Sequence, residues 1–122
     1  MKLRINGDSL RLRLSQREVE EFSSEGKTTD SICFGGTTLN YELRKADSFS
    51  SKFSDQKIVI EVPSDIGAKW AISDQVAIEK TISVGDGGNL SILVEKDFKC
   101  LTDRPNEDES DLFENPMNKH DC

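Results

Sequence analysis

Apolar and polar side chains alternate over most of the chain, which is the pattern of strands with one buried face. The alternating runs of the first half, which predict strands, cover 2–6, 9–14, 30–34 and 38–45. After the second run, Ser15 and Glu18 have the spacing of a capping box and predict a short helix that Gly26 ends. The pair Gly35-Gly36 predicts the turn of a hairpin between the last two strands.

The same order of elements returns in the second half of the chain. Its predicted strands cover 58–62, 77–84 and 89–96. A short helix opens at Pro63 and carries Ile66 and Trp70 on one face, and the glycine-rich run 85–88 predicts another hairpin turn. The serine-rich segment 47–55 between the halves is interpreted as a connection that its two phenylalanines pack in part.

Constant spacing allows the two halves to be superposed. Leu10, Leu12 and Leu14 match Ile58, Ile60 and Val62; Phe22 matches Trp70; and Leu39, Tyr41 and Leu43 match Leu90, Ile92 and Val94. Chance is the alternative explanation, because alternating strands resemble one another. Agreement over three elements favours a duplicated β-α-β-β unit. The predicted fold is α+β and mainly antiparallel β, a barrel or a strongly curved sheet with two short helices.

Charge divides the chain into a strand-rich domain, 1–101, and an acidic C-terminal tail, 102–122. The net charge is −7, and the tail holds seven acids and two bases. Such a chain lacks the surplus of Lys and Arg that nucleic-acid phosphates require, so nucleic-acid binding is not expected. No apolar run is long enough to cross a membrane, and no signal-peptide pattern occurs. Three cysteines, an odd and sparse set, predict a reducing, cytoplasmic location.

Charged side chains occupy the strand faces opposite the apolar positions. On an open sheet they form a solvated face with cross-strand charge pairs. In a barrel whose apolar residues face outward under the helices, they line the lumen. Arginines there supply forked donors for phosphate or carboxylate oxygens, and glutamates orient them or hold a divalent metal. The candidate ligand-binding residues are Arg4, Arg11, Arg13, Arg44, Glu42, Glu61, Glu79 and Glu95.

A duplicated β-α-β-β barrel with a charged lumen resembles the CYTH superfamily, the triphosphate tunnel fold of adenylyl cyclases, thiamine triphosphatases and inorganic triphosphatases. The resemblance rests on the order of elements over 1–98. Members open with Glu-x-Glu-x-Lys, which supplies metal-binding carboxylates, whereas this chain has Lys2-Leu-Arg4-Ile-Asn6 there. The resemblance therefore implies anion binding, and the missing motif argues against metal-dependent hydrolysis of phosphates.

The sequence also resembles a family of small uncharacterised bacterial proteins, a domain of unknown function. The segments that carry this resemblance are 2–19, 95–101, Arg104, 107–108 and 115–116. It spans nearly the whole chain and implies no activity, cofactor or partner.

Few other residues suggest chemistry. Cys100, His120 and Cys122 carry donors that zinc prefers, but a structural zinc site needs four ligands and close pairs. A small buried cysteine and a polar tail explain the same residues, so no metal ligand is assigned. His120 is the only histidine, and catalysis by a serine or cysteine with a histidine base is therefore not expected.

The sequence favours the binding of a small anion, a phosphate or a carboxylate, by an inner face lined with Arg and Glu. The alternative is a protein-interaction domain with the acidic tail as its docking segment. A metal-dependent phosphohydrolase is a third, weaker hypothesis. A binding role is favoured over an enzymatic one, and the sequence identifies neither a cofactor nor an oligomeric state.

Overall fold

A computed structural model describes residues 1–98 and Phe113. The strands are β1 (Lys2–Asn6), β2 (Ser9–Leu14), β3 (Lys27–Cys33), β4 (Thr38–Ala46), β5 (Ser50–Ser54), β6 (Lys57–Pro63), β7 (Ala77–Ser83) and β8 (Asn89–Lys96). The helices are α1 (Gln16–Glu25) and α2 (Ser64–Ile72). The predicted α+β class is confirmed. In the part of the chain described, no helix is both long and apolar enough to span a membrane.

The capping box predicted before α1 is present. The Ser15 hydroxyl accepts a hydrogen bond from the Glu18 amide at 3.3 Å, and the Glu18 carboxylate accepts one from the Ser15 amide at 2.9 Å. These bonds satisfy donors that the first turn of a helix leaves without partners. Gly26 ends the helix in the left-handed conformation, with φ at 82°, where a glycine avoids the cost of a Cβ.

The eight strands form two four-stranded sheets. Sheet A has the order β1-β2-β8-β7, and sheet B has the order β3-β4-β6-β5. Hairpin neighbours are antiparallel, whereas the central pairs β2–β8 and β4–β6 are parallel. The mainly antiparallel character is therefore confirmed, but the predicted barrel is wrong for the described strands. Each sheet stays open because its apolar face is covered by the other layers of the core.

One cluster of buried side chains joins both sheets and both helices. Its members are Leu10, Leu12, Leu14, Val19, Phe22, Leu43, Ile60, Val62, Trp70, Ile78, Ile92 and Val94. The alternating apolar residues therefore face inward, toward this shared core. Packing between layers removes their apolar surface from water, so the sheets do not have to close into a barrel.

The two halves of the chain have the same arrangement. β1–β4 with α1 correspond to β5–β8 with α2, and each sheet combines the first hairpin of one half with the second hairpin of the other. The register is equivalent as well, because Leu10 faces Ile92 in sheet A as Ile58 faces Tyr41 in sheet B. The positions that can be superposed in the sequence therefore occupy equivalent places in the fold.

The segment 47–55 differs from its prediction as a connection. It contains β5, which pairs antiparallel with β6 through a two-residue turn at Asp55 and Gln56. Both turn residues have positive φ, 51° and 62°, as the turn of a tight hairpin needs. The serine-rich strand lacks an apolar alternation because it lies at a sheet edge, where few side chains are buried. The repeated unit is therefore β-β-α-β-β, not β-α-β-β.

Two equivalent lysines close the ends of the two helices. Lys45 Nζ donates to the carbonyl of Ser23 at 2.9 Å, and Lys96 Nζ donates to the carbonyl of Ser73 at 2.6 Å. Each ammonium also lies over the aromatic ring of its helix, 5.5 Å from Phe22 for Lys45 and 5.7 Å from Trp70 for Lys96. A cation at a helix C-terminus satisfies carbonyls that lack helical partners.

Beyond Lys96, Phe113 packs against the core. Its amide donates to the carbonyl of Asp97 at 2.8 Å, and its ring meets Phe98 edge-on at 5.7 Å. These contacts attach Phe113 to the end of the strand-rich domain. The predicted domain boundary at 101 and the other tail residues lie outside the described residues.

The topology places all four hairpin turns at one end of the molecule. β2 and β8 are parallel and each begins at a hairpin turn, and the same holds for β4 and β6. The helices connect the opposite strand ends, since α1 links β2 to β3 and α2 links β6 to β7. We call the two ends the turn end and the helix end.

At the helix end, α1 and α2 meet through Phe22 and Trp70, whose rings pack edge to face with centroids 6.0 Å apart. Gly67 allows this approach, because a Cβ there would lie 2.8 Å from Cζ of Phe22. Substitution of Gly67 by alanine is expected to destabilise the protein by about 2 kcal/mol. The clash outweighs the helix propensity of alanine, which alone would stabilise by about 1 kcal/mol.

Urea unfolding followed by Trp70 fluorescence measures this effect. The matched control is the same substitution in a Phe22→Leu background, where the ring is gone and alanine should cost little or stabilise. A more stable Gly67→Ala single variant would show that the helices do not meet at this position.

Candidate functional site

The eight candidate residues do not converge in one lumen. On sheet A, the outer face carries Arg4, Arg11, Arg13, Glu79 and Glu95, and on sheet B it carries Glu42, Arg44 and Glu61, by the strand register. The inner faces are apolar and meet in the shared core. The predicted inner face lined with Arg and Glu is therefore replaced, among the described strands, by two separate outer faces.

The outer face of sheet B is centred on Glu42, whose side chain is completely buried. One of its oxygens, Oε2, accepts a hydrogen bond from Arg44 Nε at 2.5 Å, and Lys57 Nζ lies 3.0 Å from Oε1. Burial alone would raise the pKa of Glu42, but the hydrogen bonds from Lys57 and Arg44 outweigh it and lower that pKa. This carboxylate is held ionised by cations of its own sheet.

Glu61, the third candidate on sheet B, is also paired within the chain. It accepts a hydrogen bond from the Ser50 hydroxyl, and Lys52 Nζ lies 3.3 Å away. The pKa of Glu61 is lowered, first by the Ser50 hydrogen bond and then by Lys52. The charges of sheet B are therefore largely compensated within the sheet, which is typical of a structural network.

The outer face of sheet A is less balanced. Arg13 Nε donates to Glu95 Oε1 at 2.6 Å, and Arg11 Nε lies 3.5 Å from the same oxygen. Arg4 faces Arg11 directly across the β1–β2 hairpin, and among the described residues its side chain has no hydrogen bond or ion pair. Like charges placed opposite each other on two strands repel. The positive charge of the Arg4–Arg11 pair is therefore only partly compensated by neighbouring carboxylates.

A groove of about 260 Å³ lies along this face. We call it the sheet A groove; its lining residues are Arg4, Asn6, Ser9, Leu10, Arg11, Glu79, Ser91, Ile92 and Leu93. The register places Asn6, Ser9 and Ser91 in one row across three strands, next to the row of Arg4 and Arg11. Of the eight candidates the groove brings together Arg4, Arg11 and Glu79, and the pair Arg13–Glu95 borders it.

The sheet A groove contains side-chain groups that can donate hydrogen bonds to anionic oxygens. Guanidinium groups offer paired N–H donors that match the two oxygens of a carboxylate or phosphate. Hydroxyl and amide groups beside them can satisfy further oxygens. Glu79 lies on β7, the edge strand of this sheet. Its carboxylate would repel a second negative charge on the bound molecule, which limits the size and charge of an anion that the groove accepts.

Sequence reasoning missed the polar partners of the arginines in this groove. Asn6 follows Arg4 by two positions and Ser9 precedes Arg11 by two, so each pair lies on one face of its strand. That spacing was visible in the sequence. Ser91 was not predictable, because only the parallel pairing of β2 with β8 brings it beside Ser9.

Metal-binding residues are not clustered in the described part of the chain. No group of three or more His, Cys, Asp or Glu with the geometry of a metal site occurs there. Cys100, His120 and Cys122, the residues considered for zinc, lie outside the described residues. In the described structure, none of the four candidate glutamates belongs to such a cluster, so no observation there supports them as metal ligands.

Comparison with known proteins identifies the chain's family. A model of a family of unknown function, DUF7009, matches residues 1–117. No curated protein and no solved structure matches the chain significantly. The resemblance to an uncharacterised family is therefore confirmed, whereas the likeness to the CYTH superfamily and a bacterial origin stay predictions. Since the match covers nearly the whole sequence, the chain belongs to the DUF7009 family.

Proposed function

We propose that the protein binds a small anion, a carboxylate or a phosphate, in the sheet A groove. The observation that carries this proposal is the Arg4–Arg11 pair, two arginines at opposite register positions of the β1–β2 hairpin. Of these two, only Arg11 has an ion pair among the described residues, to Glu95 at 3.5 Å. Glu95, the carboxylate that contacts Arg11, also contacts Arg13 at 2.6 Å. Its single negative charge is therefore shared between two arginines. A bound anion would supply the missing negative charge and relieve the repulsion between the arginines.

The structural repeat supports sheet A as the binding face. The positions in sheet B that correspond to Arg4 and Arg11 hold Lys52 and Val59, by the equivalent register. Lys52 is compensated by Glu61 at 3.3 Å, and Val59 is buried. The fold therefore does not require arginine at these places, and the arginine pair is particular to one half of the molecule.

Glu95 and Arg13 act as positioning residues in this proposal. Glu95 holds both Arg11 and Arg13 through one oxygen, which limits the motion of the Arg11 side chain. A pre-positioned arginine loses less conformational freedom on binding, so the groove binds more tightly than the same charges on flexible side chains.

Titration with inorganic phosphate, pyrophosphate and citrate at constant ionic strength tests the proposal by calorimetry. At least one of these probes should bind, and Arg4→Gln or Arg11→Gln should weaken it by about tenfold or more, the effect of losing charge-assisted hydrogen bonds. The matched control is Lys52→Gln, the equivalent position on sheet B. Equal affinity in all three variants, or no binding of any probe, would end the proposal.

A further inference from the structure

A second cavity opens at the turn end, between the inner faces of the two sheets. It measures about 440 Å³, which lies within the range of small-molecule pockets, about 300–1,000 Å³. We call it the turn-end pocket. Its apolar lining includes Ile5, Leu10, Leu39, Phe53, Ile58 and Leu90.

The structural repeat explains why this pocket exists. Six of its nine lining residues form equivalent pairs: Ile5 with Phe53, Leu10 with Ile58, and Leu39 with Leu90. The other three, Ser51, Lys52 and Ile60, come from the second half alone, so both halves contribute to the pocket but not equally. At the helix end the same space is filled by Phe22 and Trp70, whereas at the turn end no described helix fills it.

Large apolar side chains at the pocket are left in contact with solvent. Phe53 is 71% exposed and Ile5 is 62% exposed. Exposed apolar surface around a cavity is typical of sites that bind a ligand or a partner. The volume and the enclosure by two sheets favour a small molecule that places an apolar body between them.

Charge at the opening indicates which head group such a molecule carries. Three of the four hairpin turns contain an aspartate, at Asp8, Asp55 and Asp86. Lys52 is the one charged residue that lines the pocket, but its ammonium lies 3.3 Å from Glu61. The ammonium of Lys57, on the next strand, lies 3.0 Å from Glu42. The topology places these three aspartates at the same end of the molecule as the pocket, and we call them the acidic rim.

We infer that the turn-end pocket binds a small apolar cation, a molecule with an alkyl or aromatic body and one positively charged head. The body fills the space between Leu39, Leu90 and Phe53, and the head lies at the rim of aspartates. This site is separate from the sheet A groove and does not depend on anion binding there.

Three probes with the same chain and different heads test this inference: octyltrimethylammonium, 1-octanol and octanoate. Calorimetry and amide chemical shifts of the full chain should show binding at the turn end, strongest for the cation and weakest for octanoate. Phe53→Ser and Ile5→Ser should each weaken the cation about tenfold, the effect of losing one buried apolar contact. Both residues are exposed, so the variants should fold.

Phe34→Ser is the matched control, because Phe34 is 66% exposed beside a hairpin turn but does not line the pocket. The triple variant Asp8→Asn, Asp55→Asn, Asp86→Asn should keep octanol binding and lose the preference for the cation. Equal weakening by Phe34→Ser, equal affinity for octanoate, or self-association that Phe53→Ser abolishes would overturn the inference. The last result would show that a second copy covers the pocket.

Discussion

Replacement of Trp70 by alanine is expected to lower the free energy of unfolding by about 4 kcal/mol, the usual cost of removing a large buried ring. Trp70 is completely buried, meets Phe22 edge-on at 6.0 Å and donates through Nε1 to the carbonyl of Val76 at 3.0 Å. Its loss leaves a cavity where the two helices meet and removes one of the two hydrogen bonds that the Val76 carbonyl accepts. We expect this to be the most destabilising of the substitutions considered.

Urea unfolding followed by far-ultraviolet circular dichroism measures the effect, because the variant has no tryptophan to report by fluorescence. Trp70→Phe is the matched comparison, since it keeps an aromatic ring and loses the N–H donor. It should cost about 1 kcal/mol, the usual net contribution of one hydrogen bond, because the Val76 carbonyl still accepts from the Lys96 amide at 3.1 Å. A loss below about 1.5 kcal/mol in the alanine variant would contradict the tight packing of the helix end.

The second large decrease in the free energy of unfolding is expected when both cations that contact Glu42 are removed. In the double variant Arg44→Met, Lys57→Met, the apolar stems still cover Glu42, but its buried carboxylate has lost both partners. An uncompensated buried charge typically costs about 3 kcal/mol or more. Since Arg44 and Lys57 are themselves partly exposed, we expect a loss of about 3 kcal/mol at neutral pH.

The dependence of stability on pH should reverse in this variant. In the wild type the pKa of Glu42 is lowered, so its contribution is complete above the unfolded pKa and is lost as the pH falls through the folded pKa. Without Lys57 and Arg44, burial raises the pKa of Glu42. Its contribution is then complete below the unfolded pKa and is lost as the pH rises through the folded pKa.

Unfolding of the double variant between about pH 4 and pH 7 checks this reversal. The variant should gain stability relative to the wild type as the pH falls. The control is Lys52→Met, which removes the exposed partner of Glu61 and should change stability by less than about 1 kcal/mol. A pH profile parallel to that of the wild type would show that Glu42 gains access to water when its partners are removed.

Local signals in the sequence were sufficient for most elements. The capping box at Ser15 and Glu18 forms α1 because its bonds join residues three positions apart. Strand β5 escaped prediction because an edge strand rich in serine has no buried face to generate an alternation. Its place was nevertheless implied by the repeat, since β1 precedes β2 in the first half as β5 precedes β6 in the second.

The candidate site was predictable only in part. Arg4 and Arg11 were identified from their position on the polar faces of β1 and β2, and the structure keeps them together in the sheet A groove. Arg44, Glu42 and Glu61 lie on the other sheet. The apolar turn-end pocket was not predicted, because Leu39 and Leu90 belong to different hairpins and meet only through the packing of the two sheets.

The sequence alone therefore determined the strands of the two halves other than β5, both helices, the faces that are apolar and charged, and the equivalence of the halves. These properties depend on neighbours a few positions apart. Only the tertiary structure decided that the halves exchange hairpins, that the sheets stay open, and that the charged faces lie outside. Alternation shows which residues share a face of a strand, but the partner of that strand depends on contacts between distant segments, which the local pattern does not specify.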